Sequence, residues 1–332
     1  MKKILIIQTA FLGDVVLATG LAEKLHAHYP EAQLDFLLRK GNESLLKGHP
    51  LLGQVLIWNK QEGKYKSLMQ LLRQIRQERY DLVVNLQRFG ATGILTALSG
   101  ARETVGFDKN PFSRFFTRRY THDVNSGTHE VERNHLLIAS LTDAQPAKPK
   151  LYPSPEDFAK VQPLKQEPFI CMAPTSVWFT KQYPLEQWVE LLDQLDNRYK
   201  VYLLGAPADK AHCEEIIGKT KCQRVENLCG QLNLLQSAAL MRDGVLNYVN
   251  DSGPMHLASA LDAPTCAIFC STVPRFGFGP LANFSAVVEK KEPLYCRPCG
   301  LHGYKSCPEG HFKCAKEIQT AQLLDVLATR TL

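Results

Sequence analysis

Short apolar runs alternate with amphipathic stretches along this chain, and the alternation occurs twice. In the first 150 residues "KILIIQTA", "AQLDFLLRK", "QVLIWNK" and "YDLVVNLQ" have the length and β-branched content of buried strands. Between them "VVLATGLAEKLHAHYP" and "KSLMQLLRQIRQERY" carry apolar residues at helical spacing, and "NHLLIASLTDA" reads as a further helix. Strands apolar on both faces need helices above and below, which means a parallel sheet with right-handed crossovers. A proline-rich passage, "AQPAKPKLYPSPEDFAKVQPLKQEP", then breaks the rhythm and reads as a linker with a short helix around Glu156–Val161. The alternation restarts with "FICMAPTS", "YKVYLLGAP", "VLNYVNDSG" and "PTCAIFCST" as strands. The helices between them are "PLEQWVELLDQLDN", "DKAHCEEIIGKT", "LNLLQSAALMRDG" and "PMHLASALD". The expected fold class is α/β, with two Rossmann-like doubly wound domains over 1–160 and 167–315 and a closing helix over 316–332. The closing helix is expected to pack back toward the first domain. Ligands of such sheets sit beyond the carboxyl ends of the strands, so a central cleft is expected to gather them.

A chain of 332 residues has room for two cores, and 45% apolar with 22% charged residues fits a globular protein. No uncharged apolar run reaches 18 residues, so no membrane-spanning helix is expected. The start "MKKILIIQTAF" reads as a first strand rather than a signal peptide, because its apolar run is short and no small-residue cleavage site follows. A cytoplasmic chain is expected. The formal net charge of +6 lies wholly in residues 1–165, and the remainder is close to neutral. The first half therefore faces something anionic, and no nucleic-acid partner is expected. Within it, "SRFFTRRY" (Arg114, Arg118, Arg119) interleaves cations with aromatics and is the ligand-facing candidate. "LLRQIRQERY" (Arg73, Arg76, Arg79) reads as a solvated helix face.

Three stretches carry chemistry. In "IIQTAFLGDVVLATG" an apolar strand hands over to a helix at Gly13-Asp14, where a carboxylate acts either as an N-cap or as a general base held ionised by the helix dipole. Gly13 lets a substrate approach the backbone. No G-x-G-x-x-G stands here, so a nicotinamide cofactor is not indicated, and no cofactor is expected. In "APTSVWFTKQYPLEQW" the hydroxyls of Thr175 and Ser176 and the cation of Lys181 suit phosphate oxygens, without the glycines of a P-loop. The bland alternative is a capped turn with an exposed lysine. In "NDSGPMHLASAL" Asp251, Ser252 and Gly253 end a strand, Pro254 opens a helix, and His256 falls on its first turn. This is an anion site of the helix N-terminal kind.

Together these stretches resemble glycosyltransferase family 9, the ADP-heptose:lipopolysaccharide heptosyltransferases, over nearly the whole chain. "NLQRFGATGILTALSGARETVGFD" and "HEVERN" are similar to the family's middle passage, and the tail "CRPCGLHGYKSCPEGHFKC" to its heptosyltransferase II-type members. The resemblance implies a GT-B fold and a catalytic base at Asp14. It places the donor's phosphates on Thr175, Ser176 and Lys181, and a second donor motif at Asp251, Ser252, Gly253 and His256. Asp209 or Glu214 is the candidate for the adenosine ribose. The implied reaction is inverting heptose transfer from ADP-heptose to the lipopolysaccharide inner core, without metal, at the cytoplasmic face of the inner membrane of a Gram-negative bacterium. Gly13, Arg88, Arg114, Arg118 and Arg119 are the acceptor candidates. Another nucleotide sugar, or a binding module without turnover, remains as the alternative.

All ten cysteines lie beyond residue 170, and Cys296, Cys299, Cys307 and Cys314 follow C-x2-C-x7-C-x6-C with His302 and His311 between. Free thiols packed against the last helix are the default reading. Four thiolates would also suffice for zinc.

Overall fold

The computed structural model describes residues 1–61, 63–195 and 197–331. It divides into two compact units, Met1–Tyr152 and Pro153–Leu332, the division falling inside the proline-rich passage. Leu332, at the end of the expected closing helix, lies outside the described residues.

The first unit is a six-stranded parallel sheet. Its strands are β1 (Lys3–Ile7), β2 (Gln33–Arg39), β3 (Leu52–Trp58), β4 (Leu82–Asn85), β5 (Glu103–Phe107) and β6 (Arg118–Tyr120), in the order β3-β2-β1-β4-β5-β6. Helices α1 (Leu12–His28), α2 (Lys64–Glu78), α3 (Gly90–Ala97) and α4 (Glu130–Leu136) connect or cover it. Ile4, Leu5, Ile6 and Ile7 are fully buried, as a central strand covered on both faces requires. A core of Leu37, Trp58, Leu72, Ile75, Tyr80 and Val83 fills one side. The one carboxylate buried in the sheet, Asp35, is satisfied by the Tyr80 hydroxyl at 2.7 Å and the Gln54 backbone N–H at 2.9 Å.

Two helix starts in this unit differ from the sequence pattern, and β5, β6 and α3 were not expected from it. The first helix begins at Leu12, with Phe11 as N-cap and no side-chain cap bond, so Asp14 is its third residue and not an N-cap. The helix expected from Asn134 begins instead at Glu130. There His129 Nδ1 accepts from Val131 N–H, Glu132 Oε2 accepts from His129 N–H, and this capping box fixes the start. The residues after Leu136 run as turns rather than helix.

The second unit repeats the winding. Its strands are β7 (Phe169–Ala173), β8 (Lys200–Leu203), β9 (Val225–Asn227), β10 (Leu246–Asn250), β11 (Thr265–Phe269) and β12 (Ser285–Glu289), in the order β12-β11-β10-β7-β8-β9. Its helices are α5 (Pro155–Val161), α6 (Leu185–Gln194), α7 (Lys210–Lys219), α8 (Leu234–Arg242), α9 (Gly253–Ala260), α10 (Lys313–Lys316) and α11 (Thr320–Thr331). The short helix in the proline-rich passage is α5, opened by a Ser154–Asp157 capping box with Pro155 at its first position. Helix α11 buries Leu323 and Leu327 against α6 and β12, inside the core of its own unit. In each sheet the order reverses beside the first strand, at β1/β4 and at β7/β10. These switch points place two loops side by side at the carboxyl edge.

Candidate functional site

At the switch point of the second unit, β7 hands over to the Thr175–Lys181 loop and β10 to Asp251. Buried Asn250 joins the two. Its Nδ2 donates to Pro174 O at 2.9 Å and Ala173 O at 3.3 Å, while its Oδ1 accepts from Tyr183 N–H at 2.9 Å. That fixes Lys181, whose ammonium lies 2.7 Å from Asp251 Oδ2 with the two side chains 14% and 8% exposed. Thr272, just past β11, donates its hydroxyl to the same carboxylate oxygen at 2.5 Å. Ser252 caps α9 by position only, since its hydroxyl donates to Asn250 O at 3.3 Å and makes no cap bond to the helix. Pro254 is the second helical residue and not the first, because the helix opens at Gly253. His256 is buried on its first turn, and Thr175 and Ser176 are half-buried in the loop. An ammonium, two hydroxyls and a helix start thus share one end of one sheet. That arrangement suits a diphosphate.

The cysteine segment closes on this site, a relation the sequence pattern does not show. Thr180 Oγ1 accepts from Tyr304 N–H at 2.8 Å and from the Ser271 hydroxyl at 3.0 Å, and Cys299 N–H donates to Ser271 O at 2.8 Å. Gly303 has φ +76°, and a Cβ there would meet Thr180 Oγ1 at 2.8 Å. Arg297 ties the segment to the sheet by donating to Thr272 O at 2.7 Å and to Glu289 at 2.5 Å. Cys296, Cys299, Cys307, Cys314 and His311 line a cavity of about 210 Å³. Burial pushes the Cys314 thiol up to about 12 and also raises Cys299, so both are neutral thiols at pH 7. Among the described residues, no three His, Cys, Asp or Glu side chains are grouped to hold a metal ion.

The two ribose candidates are both engaged inside the unit. Asp209 Oδ2 accepts from Ala206 N–H at 2.7 Å, and Glu214 Oε1 accepts from Asn227 Nδ2 at 2.7 Å.

In the first unit Asp14 is half-buried in the first turn of α1, beside Gly13 and just past the end of β1, where the uncapped N–H groups favour an anion. Arg88 and Arg114 are exposed in the loops after β4 and β5. Arg118 and Arg119 lie elsewhere, on the edge strand β6. Arg118 is engaged within its own sheet. Its guanidinium pairs with Glu103 on the neighbouring strand and donates to Ser140 Oγ at 2.7 Å, because the β5/β6 register brings them together. Arg119 points the other way from the same strand and is exposed. Arg73, Arg76 and Arg79 are exposed on and after α2, as a solvated face would be.

Two doubly wound sheets of identical order, with ligand-facing groups at the carboxyl ends, define the GT-B architecture of nucleotide-sugar transferases. The structure of Escherichia coli ADP-heptose lps heptosyltransferase II superposes with a TM-score of 0.82 at 23% identity, over 99% of this chain and 98% of that one. The family model of glycosyltransferase family 9 (heptosyltransferase) matches residues 68–303, and the chain belongs to this family. Among curated relatives it is 26% identical to lipopolysaccharide heptosyltransferase 1 of Pseudomonas aeruginosa, over 82% of this chain and 80% of that protein. It is 27% identical to lipopolysaccharide heptosyltransferase 3 of Escherichia coli K12, over 78% and 80%.

Proposed function

We propose that this chain transfers a heptose, with inversion, from ADP-heptose to the lipopolysaccharide inner core, in a second-heptose reaction of the heptosyltransferase II type. The second unit takes the donor, and the first supplies the acceptor surface and the base. The observation that carries this is the buried Lys181–Asp251 pair at the second switch point. Lys181 has three N–H donors, so it can keep its bond to Asp251 and still donate to a diphosphate oxygen. The start of α9 adds N–H groups for the second phosphate. Thr175, Ser176, Gly253 and His256 complete the donor contacts in this reading.

The Asp14 carboxylate takes the proton of the acceptor hydroxyl as that oxygen attacks the anomeric carbon. The bond from that carbon to the diphosphate oxygen breaks on the opposite face, and ADP leaves with the electron pair. Lys181 and the helix N–H groups stabilise the charge that develops on it, so the step needs no metal. The sequence contains no Asp-X-Asp motif of the kind that holds a metal on a diphosphate. The basic excess of the first unit suits a phosphorylated, membrane-anchored acceptor and peripheral attachment at the cytoplasmic face of the inner membrane. No described helix is long and apolar enough to cross a membrane.

The test is incubation of the purified protein with ADP-heptose and a panel of truncated cores, reading product mass and ADP release, with UDP-N-acetylglucosamine as the competing donor. A core carrying one heptose should gain a second. Asp14→Asn should lower turnover by at least about 100-fold while ADP-heptose still binds. Turnover with the other donor alone, or an active Asp14→Asn variant, would overturn the reading.

A further inference from the structure

Cys213 stands in the first turn of α7, and Cys229 lies just past β9. The fold brings their Sγ atoms to 3.3 Å inside the core of the second unit, and neither lines the cavity of the cysteine segment. One buried carboxamide sets this approach. Asn227 Oδ1 accepts from Cys229 N–H at 3.0 Å, while its Nδ2 donates to Lys210 O at 3.1 Å and to Glu214 Oε1 at 2.7 Å. The loop after β9 is thereby pinned to the start of α7. Gly230 N–H donates to Gly205 O at 3.0 Å, which ties the same loop to the one after β8. A Cβ on Gly205 would meet Cys229 Sγ at 2.8 Å, so the glycine leaves the room that the sulfur fills.

The two sulfurs are not equivalent. Cys213 is 0% exposed and Cys229 4%. The hydrogen bond between the thiols lowers the pKa of Cys229 and raises that of Cys213, and burial adds to the rise at Cys213. Cys229 is therefore the sulfur that ionises first, and Cys213 is the neighbour placed to resolve what forms on it. Coulombic repulsion from Asp209 and Glu214 acts on both sulfurs. A site so closed and so flanked by carboxylates favours a small neutral oxidant over a bulky anionic one.

We propose that Cys213 and Cys229 form a reversible redox site, oxidised by a small hydroperoxide to a disulfide that clamps α7 to the β9 loop and weakens the hold on the donor. The Cys229 thiolate attacks the terminal peroxide oxygen, the O–O bond breaks, and the departing hydroxide or alkoxide takes up the proton that the thiol released. The Cys213 sulfur then attacks the sulfenic sulfur of Cys229, and its proton leaves with the displaced hydroxide as water. The two thiols lose two electrons and two protons, and the peroxide gains both. A dithiol reverses the oxidation by thiol–disulfide exchange. A sulfur–sulfur bond is about 2.05 Å long, so the pair must close from 3.3 Å. That draw acts on the backbone carrying Asp209 and Glu214, the two ribose candidates, and a shift of about 1 Å is enough to spoil a positioned contact. The effect on the donor rests on the nucleotide-sugar reading above, and the oxidation itself does not.

For the test, the reduced full chain is treated with hydrogen peroxide, unfolded, alkylated and mapped by mass spectrometry. A cross-linked peptide pair joining Cys213 to Cys229 should form before any other cysteine is consumed, and dithiothreitol should remove it. Cys213→Ala should leave Cys229 as a sulfenic acid that dimedone traps, whereas Cys229→Ala should give no dimedone adduct at Cys213. Glutathione disulfide at the same concentration should form the cross-link at least about tenfold more slowly, and equal rates would overturn the choice of oxidant. Oxidation should raise the Kd of ADP-heptose roughly tenfold by calorimetry and reduction should restore it, while Cys229→Ala should bind the donor equally before and after peroxide. A Cys213 and Cys229 that still alkylate after peroxide has consumed other cysteines would overturn the site, as would a cross-link from either one to the cysteine segment. Equal donor affinity in the reduced and oxidised wild type would overturn its control of the donor. Should an alanine variant melt early, the wild type decides alone through its peptide map and its two Kd values. Should the wild type bind no ADP-heptose, the nucleotide-sugar reading fails, and the peptide map still tests the pair.

Discussion

Replacing Asp251 with asparagine keeps the shape of the side chain and removes the charge that faces Lys181. The ammonium sits 2.7 Å from the carboxylate with both side chains largely shielded, so water cannot take the place of the lost charge. Removing one member of a buried ion pair costs about 3–5 kcal/mol. The lower end applies here, because the new carboxamide still offers an oxygen to Lys181 and to the Thr272 hydroxyl. For a unit of this size each kcal/mol moves the melting temperature by roughly 2–4 °C, so Asp251→Asn should lower melting of the second unit by about 6–12 °C. ADP then supplies the missing anion. Its stabilising shift should be larger in the variant than in the wild type, because in the wild type the diphosphate meets a lysine that is already neutralised. Differential scanning calorimetry with and without ADP reads both effects, with the transition of the second unit followed separately from that of the first. A variant that melts within about 2 °C of the wild type would refute the claim that the pair is energetically buried. Equal ADP shifts in the two proteins would refute the meeting of Lys181 with the diphosphate.

Acid should weaken the first unit through His49, which is 5% exposed and whose Nε2 is buried without a partner, so that burial holds the imidazole at about 4. The folded value lies below the unfolded one, so the unfolded chain takes the proton first. Stability is full above pH 6.5 and falls toward pH 4 by about 3 kcal/mol. Urea melts at pH 7.5 and 4.5 should show this, and His49→Phe, which preserves the edge contact with Tyr152, should flatten it. Gly303→Ala should strain a φ of +76° and push the cysteine segment off Thr180, weakening ADP-heptose binding roughly tenfold by calorimetry. Unchanged affinity would show that the segment plays no part in holding the donor. Turnover after exhaustive dialysis against EDTA should stay within about twofold of the untreated enzyme, and activity that vanishes and returns with added metal would refute the metal-free departure of ADP.

The strands were legible because central parallel strands are buried on both faces and so appear as unbroken apolar runs, such as Ile4–Ile7 and Phe169–Ala173. Four strands were not expected: β6 and β9 are three residues each, and β5 ("ETVGF") and β12 ("SAVVE") carry only short apolar stretches, while α3, "GATGILTA", is too small and uniformly apolar to show a helical period. Helix starts were legible where the capping residue is a familiar one, as at Ser154. They were not at Phe11 or His129, where neither residue type announces a cap. Arg114 and Arg118 looked alike in "SRFFTRRY". The β5/β6 pairing then set Arg118 beside Glu103, while Arg114 stayed on a loop with only a ring beneath it.

Apolar periodicity, a property of residues close in sequence, by itself determined the two doubly wound sheets and the switch-point loops where Asp14, Lys181 and Asp251 stand. Tertiary structure decided which side chains meet there. Thr180, Asn250, Ser271, Thr272 and Tyr304 come from separate segments, as do Gln8, Asn42, Gln87 and Asn110. Such partnerships depend on which strands neighbour each other and in what register. That is settled only when the whole sheet closes, and no local pattern encodes it.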